Sequence, residues 1–240
     1  MVEYLKKIFC GNTAEFRAFL DNRIEKNQKT FIITANPETL MTGRSNPEFH
    51  KALTDPETVI TPDGIGVVKG AKMAGIAVNE RITGVETVEY LLSKGAKNGL
   101  SVYFYGAKLE VLQKFAEILS EKYKGLKIAG LHDGYSDNEQ VVFDRIVELS
   151  PDLVFVALGI PRQELAIYNN LHRFNKGIFI GCGGSIDVLS GTKKRAPKLF
   201  IKLNCEWLYR IAKEPKRLGR FYNSNVKFFA ILKKELRKNK

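Results

Sequence analysis

Long apolar runs are missing from this 240-residue chain. No stretch approaches the roughly 18 consecutive apolar residues that a membrane-spanning helix needs. The longest strongly apolar run, Leu153–Ile160, has the length of a strand. Met1–Lys7 lacks the extended apolar segment of a signal peptide, so the chain is expected on the cytoplasmic side of a membrane. Cysteine is scarce: Cys10, Cys182 and Cys205 are widely spaced and odd in number, which excludes a disulfide framework and zinc spacing. Buried thiols are expected, at least for Cys182 in an apolar strand. His50, His132 and His172 are isolated and show no metal spacing. There is no Walker A sequence, which argues against P-loop chemistry. Gly64, Gly66 and Gly70 miss the last spacing of the dinucleotide fingerprint, which argues against a nicotinamide-dependent oxidoreductase.

What the chain does have is a one-sided charge distribution. Residues 192–240 carry 16 Lys/Arg against Glu206, Glu214 and Glu235, a net +13 in a chain whose total is +12. Residues 1–191 therefore sum to −1. A near-neutral body of residues 1–191 with a basic helical appendage of residues 192–240 implies a polyanionic partner: nucleic acid, an anionic membrane or phosphates. Aromatic residues, among them Phe200, Trp207, Tyr209, Phe221, Tyr222, Phe228 and Phe229, are interleaved with the cations. Leu199, Leu203, Trp207 and Ile211 form an i+4 stripe after Pro197. A second helix is expected from about Asn223–Asn225, with Val226, Phe229 and Leu232 on adjacent turns.

The body alternates short apolar runs with helical patterns. Strands are expected at Phe31–Thr34, Thr58–Ile60, Ser101–Tyr105, Lys127–Ala129, Leu153–Leu158 and Ile178–Cys182. Residues 108–123 place Leu112, Phe115, Ala116 and Leu119 on one helix face, and residues 137–149 repeat the pattern behind Asp137 as N-cap. Buried strands alternating with amphipathic helices imply an α/β fold, a mostly parallel sheet with helices on both faces. Ligands of such sheets sit beyond the carboxyl ends of the strands.

Polar and glycine-rich loops fall at those ends. Thr61-Pro-Asp-Gly-Ile-Gly66 reads first as a turn, yet it puts Asp63 where a carboxylate can act as a general base. Gly64 and Gly66 permit close approach of backbone to a ligand. Thr34-Ala-Asn-Pro-Glu38 reads as a helix start with Asn36 as N-cap, or as a polar wall beside Asp63. Arg81, in Asn79–Gly84, serves either a surface ion pair or a phosphate. Gly159-Ile-Pro-Arg-Gln-Glu164 and Gly181-Cys-Gly-Gly-Ser185 follow neighbouring strands and open helices. Tight helix–strand packing explains each alone; together they suit a diphosphate.

Taken in order, Thr-x-Asn-Pro-Glu, Thr-Pro-Asp-Gly-x-Gly, Glu-Arg-x-x-Gly, Gly-x-Pro-Arg-Gln-Glu and Gly-Cys-Gly-Gly resemble the WecG/TagA/CpsF family of bacterial glycosyltransferases. The tail Glu206-Trp207…Arg210…Glu214-Pro-Lys-Arg217…Arg220 is similar to that family's C-terminal segment. The resemblance covers about the whole chain and implies a Rossmann-like core. It implies transfer of N-acetylmannosamine from its UDP donor to the 4-hydroxyl of N-acetylglucosamine on undecaprenyl diphosphate. The product is the β-linked disaccharide lipid of the wall teichoic acid linkage unit, so the reaction inverts the donor. No cofactor and no metal are implied, in keeping with the lack of any Asp-x-Asp. Asp63 is then the base, with Thr34 among the catalytic residues and Asn36 lining the sugar pocket. Arg81, Arg210, Arg217 and Arg220 stabilise departing UDP. Gly64, Gly66, Gly159, Arg162, Gln163, Gly183 and Gly184 hold the substrate. The tail docks on the anionic inner leaflet as a peripheral membrane element, and a homo-oligomer is among the partners considered.

Other readings make different demands. A nucleic-acid-binding module would show a steep salt slope, and the polar strand-end loops of a neutral body argue against it. Within the transferase reading the donor could instead be UDP-N-acetylmannosaminuronic acid or UDP-glucose. An acidic donor favours an extra cation near the sugar, which the sequence does not place.

Overall fold

The computed structural model describes residues 1–238, apart from the side chains of Lys198 and Arg210. All six expected strands form: β1 (Thr30–Ala35), β2 (Thr58–Pro62), β3 (Ser101–Gly106), β4 (Lys127–His132), β5 (Leu153–Ala157) and β6 (Ile178–Gly181). They pair in parallel in the spatial order β2-β1-β6-β5-β3-β4. Parallel strands must be covered on both faces, and the four residues Leu153–Val156 of β5 are all buried.

The helices preceding the basic tail are α1 (Val2–Lys6), α2 (Thr13–Glu25), α3 (Pro37–Ser45), α4 (Pro47–Thr54), α5 (Ile65–Met73), α6 (Gly84–Asn98), α7 (Leu109–Lys122), α8 (Glu139–Leu149), α9 (Arg162–Asn170) and α10 (Ser185–Leu189). The period of two along the strands sorts side chains into two cores. Phe31, Ile33, Val154, Val156 and Phe179 share one core with α1, α3, α4, α5, α8 and α9. Ile32, Phe104, Phe155 and Ile180 share the other with α2, α6, α7 and α10. The chain therefore leaves β1 toward one face and the adjacent β6 toward the other. Loops that part in this way open a crevice at the carboxyl ends of the strands.

The basic tail folds as α11 (Lys198–Lys202), α12 (Glu206–Lys213), α13 (Arg217–Phe221), a π-helical turn (Tyr222–Val226) and α14 (Lys227–Lys238). Among the described residues, no helix is long and apolar enough to cross a membrane. Two expectations change here. The stripe from Leu199 to Ile211 is not one helix, because Asn204 adopts φ 57° and separates α11 from α12. Asparagine tolerates that left-handed conformation at low cost. In α14 the fully buried residues are Phe228 and Leu232, while Val226 is exposed. The π-helical turn lies between α13 and α14 and shifts the phase of one relative to the other.

α14 is bound into the body. Phe228 and Leu232 join the core shared with α1, α3 and α5. Gly70 of α5 has to be glycine here, since a Cβ would lie 2.7 Å from the Phe228 ring. Glu235 accepts from the Met1 α-amino group (2.8 Å), the Val2 N–H (3.1 Å) and Arg44 Nη1 (2.7 Å).

Candidate active site

Three segments meet at the carboxyl ends of β1 and β2. Asn36 caps α3: its Oδ1 accepts from the Glu38 and Thr39 N–H groups at 2.8 and 3.1 Å, and Pro37 takes the first helical position. The side-chain oxygen of Asn36 is thus committed to the cap. The N–H groups of Asp63 and Gly64 both donate to the Ala35 carbonyl, at 2.9 and 3.3 Å. These two bonds to one acceptor fix half-buried Asp63 beside the end of β1. A Cβ at Gly66 would lie 2.6 Å from Pro37 Cγ, and one at Gly64 would lie 3.0 Å from Asn36 Cβ. The two glycines of the Pro-Asp-Gly-Ile-Gly turn are therefore demanded by the Asn36–Pro37 corner as well as by any ligand.

The Arg81 loop joins them through the Ile82 N–H, which donates to the Pro62 carbonyl at 3.0 Å. Thr83 Oγ1 then caps α6 by accepting from the Glu86 N–H at 3.3 Å. Gly84 brings the start of α6 against Thr34, whose Oγ1 and Cγ2 would lie 3.4 Å from an added Cβ. Burial raises the Glu86 carboxyl, but bonds from Arg195 and Thr83 and the charges of Arg195 and Arg81 outweigh it and hold the group below its usual range. Half-buried Arg81 thus sits in a field shared with Arg195, which donates to Glu86 at 2.9 Å.

Thr34 Oγ1 donates to the Gly181 carbonyl at 3.5 Å, which links this corner to the second group of loops. There, Gln163 Oε1 accepts from the Gly159 N–H (3.1 Å) and the Gly183 N–H (3.0 Å), while its Nε2 donates to Glu164 Oε1 (2.7 Å). The backbone donors of Gly159 and Gly183 have partners within the protein, and Gln163 itself is buried. Gly184 is exposed at the start of α10. Arg162 turns toward the loop after β4, where Nε lies 3.4 Å from Glu139 Oε2 and Nη1 donates to the Gly134 carbonyl at 3.5 Å.

Of the tail arginines, Arg220 reaches the corner: its Nε donates to Glu38 Oε1 at 2.6 Å in the first turn of α3. Asn225 Oδ1 comes close enough to Gly66 that an added Cβ there would lie 3.3 Å from it. Arg217 pairs within the tail, with Glu214 at 2.7 Å. The Arg210 side chain lies outside the described residues, and its backbone belongs to α12. Sequence reasoning assigns no role to Glu38, Glu164, Arg195 or Asn225. Glu38 and Glu164 stand inside quoted motifs, but Arg195 and Asn225 find their neighbours only through the tertiary fold.

Cys182 is buried, and burial raises its thiol well above the ordinary value, as expected of an inert packing residue. His50 bonds Tyr4 Oη at 2.6 Å. Among the described residues no three His, Cys, Asp or Glu side chains form a group able to hold a metal ion.

Chemically, the carboxyl ends of β1 and β2 bring Asp63 to the corner where α3, α5 and α6 begin, with Arg220 paired to Glu38 and Arg195 to Glu86 on the first turns of α3 and α6. Such an arrangement can take a proton on one side and stabilise developing negative charge on the other. Comparisons with known proteins identify the family. The model of the "Glycosyl transferase WecG/TagA/CpsF family" matches residues 5–240. A Bacillus spizizenii protein named N-acetylglucosaminyldiphosphoundecaprenol N-acetyl-beta-D-mannosaminyltransferase is 39% identical over 212 residues, covering 88% of this chain and 82% of that protein. A Bacillus subtilis protein of the same name is 37% identical over 231 residues, covering 96% and 89%. A Staphylococcus aureus protein, again of that name, is 35% identical over 234 residues, covering 97% and 86%. With the match running through both the strand-end loops and the basic tail, the chain belongs to the WecG/TagA/CpsF family of glycosyltransferases.

Proposed function

We propose that this glycosyltransferase moves N-acetylmannosamine from UDP to the 4-hydroxyl of N-acetylglucosamine on undecaprenyl diphosphate, giving the β-linked disaccharide lipid. The relatives' shared name supports the donor sugar and the acceptor. The observation that carries the chemistry is the pinning of Asp63 to the end of β1 by two backbone bonds, with the Arg81 loop bonded to the residue before it.

In one displacement, the acceptor O4 bonds to the anomeric carbon from the face opposite UDP. The O4 proton passes to the Asp63 carboxylate, and the electron pair of the breaking C–O bond leaves on UDP. Arg81, Arg210, Arg217 and Arg220 stabilise that charge in place of a divalent ion. The Glu38–Arg220 bond supports a role for the tail at the corner, since it sets a tail guanidinium at the first turn of α3. Thr34 and Asn36 bound the sugar pocket. The loops clasped by Gln163 face the diphosphate, with Gly184 exposed there. The enzyme works as a peripheral protein on the anionic cytoplasmic leaflet, with the tail cations and exposed Leu199, Leu203 and Leu208 toward the lipid.

The test is UDP release from a panel of UDP-sugars with a soluble lipid-diphosphate-GlcNAc analogue, in the presence of EDTA, followed by determination of the product linkage. UDP-N-acetylmannosamine is expected to react best and to give a β-1,4 product. Asp63→Asn is expected to lose at least about 100-fold in kcat while still binding UDP. Near-normal turnover by that variant, or silence of the parent once magnesium is chelated, would overturn the mechanism.

A further inference from the structure

Glu164 is the third residue of α9, after Arg162 and Gln163, and it is 1% exposed. One carboxylate oxygen, Oε1, accepts from Gln163 Nε2 at 2.7 Å. The other, Oε2, is buried and has no hydrogen-bond partner among the described residues. A buried carboxylate with half of its bonding capacity unused is costly, so its retention calls for a reason. Burial lifts the group to about 7 against the pull of the Gln163 bond and its own backbone N–H. The titratable neighbour across the strand is the Cys182 thiol, which is itself raised and feels Glu164 and Asp187.

What Glu164 touches points to its role. Gln163 is an amide with one accepting and one donating end, and a half-turn about its last torsion exchanges them. Two backbone N–H groups, those of Gly159 and Gly183, require the oxygen on their side. An acceptor on the opposite side makes that choice unambiguous, and Glu164 Oε1 supplies it. It does so in either protonation state, because a neutral carboxyl keeps a carbonyl oxygen. Gly181 completes the arrangement. A Cβ there would lie 2.8 Å from Gln163 Nε2 and 2.9 Å from Glu164 Oε1, so the strand gives up its side chain to admit the pair. Gly159 and Gly183 have φ of 82° and 47°, conformations open to glycine that turn both backbone N–H groups toward the Gln163 oxygen. The Gln163 oxygen serves both loops at once, and Glu164 orients it.

We infer that Glu164 is a positioning residue for donor binding: by fixing the Gln163 amide it clasps the loops after β5 and β6 in the spacing that receives the UDP diphosphate. This deepens the proposed function and rests on it. The role belongs to donor affinity and not to proton transfer, because the pair lies at β5 and β6 while Asp63 lies at β2.

UDP binding by calorimetry and steady-state kinetics with varied donor separate the possibilities. Glu164→Met keeps the bulk and removes the acceptor. Its UDP Kd and donor KM are expected to rise about tenfold or more, the scale of one buried amide left unpaired, with kcat changed less than about threefold. Glu164→Gln retains an acceptor and is expected to stay within about threefold of the parent. Gln163→Met should match Glu164→Met, and the double variant should add little, since both remove one clasp. Thermal melting establishes that each variant is folded; if Glu164→Met does not fold, Gln163→Met and Glu164→Gln carry the test. Unchanged UDP affinity in a folded Glu164→Met or Gln163→Met protein would overturn the inference, as would a loss in Glu164→Gln equal to that in Glu164→Met. Failure of the parent itself to bind UDP would instead sink the proposed function.

Discussion

The two ends of the basic tail have similar composition and opposite fates. In α11, α12 and the turn between them, Leu199, Leu203, Trp207 and Leu208 are exposed, and Lys202 and Lys213 stand around them. In α14, Phe228 and Leu232 are fully buried while Lys233 and Lys234 face solvent. The front of the tail is held chiefly to itself, by Phe200 against Tyr209 (ring centroids 5.5 Å apart) and Trp207 stacked on Phe221 (4.4 Å). The rear is held to α1, α3 and α5 by core packing and by Glu235. A run of cations and aromatics therefore does not define one functional unit. The rear half fastens the segment, and the front half is free to present apolar surface. Cutting the chain after Gly191 would thus strip side chains from the core along with the surface helices, and loss of activity in such a truncation would not isolate the role of the front.

The sharpest way to break this contrast is to weaken the fastening. Phe228→Ala removes a fully buried ring, which typically costs about 3–5 kcal/mol. Urea unfolding is expected to show that loss in Phe228→Ala and a change within about 0.5 kcal/mol in Leu199→Ala. Equal effects at the two positions would mean that the halves are not packed differently.

A smaller effect belongs to Glu235. Burial raises its carboxyl, but the bonds from the Met1 amine and the Val2 N–H, the amine's charge and Arg44 together lower it below the ordinary glutamate value. A depressed carboxylate contributes stability that is present above its unfolded pKa and lost as pH falls through its folded pKa. Glu235→Gln is expected to lose about 1 kcal/mol at pH 7, and the difference from the parent should vanish once acid protonates the parent's carboxyl. A difference that persists in acid would show that the charge is not what fastens α14.

The same contrast explains what can be read from sequence. Strands such as Leu153–Ala157 announce themselves, because a buried parallel strand is apolar at every position. Asn36–Pro37 reads correctly as a helix start because capping is local chemistry. Where the outcome depends on distant residues the reading fails. The left-handed Asn204 divides the first stripe of the tail, and in α14 it is Phe228, packed on Gly70 of α5, that turns inward while Val226 is exposed. The motif around Gln163 does not reveal that its side chain bonds Gly159, Gly183 and Glu164, because Gly183 lies in a loop 20 residues away. Gly66 suggests ligand approach, and the fold adds a demand that the sequence does not show, from Pro37 of another segment.

The least effect on stability, and the most on location, is expected at the front of the tail. Leu203 and Leu208 are 62% and 46% exposed, so replacing them adds no buried charge and opens no cavity. Leu203→Glu/Leu208→Glu should therefore melt within a few degrees of the parent. On an anionic vesicle the same change acts twice. It removes two aliphatic side chains that can insert into the interface, and it sets two negative charges among cations each worth about 1 kcal/mol near the surface. Partitioning onto phosphatidylglycerol-containing vesicles is expected to fall at least tenfold, and raising salt should narrow the gap by weakening the parent's electrostatic share. Neutral phosphatidylcholine vesicles isolate the apolar share, where the variant should still bind less than the parent. If partitioning is unchanged on both kinds of vesicle, the exposed leucines at the front of the tail do not face lipid, and the division of labour between the two halves of the tail fails.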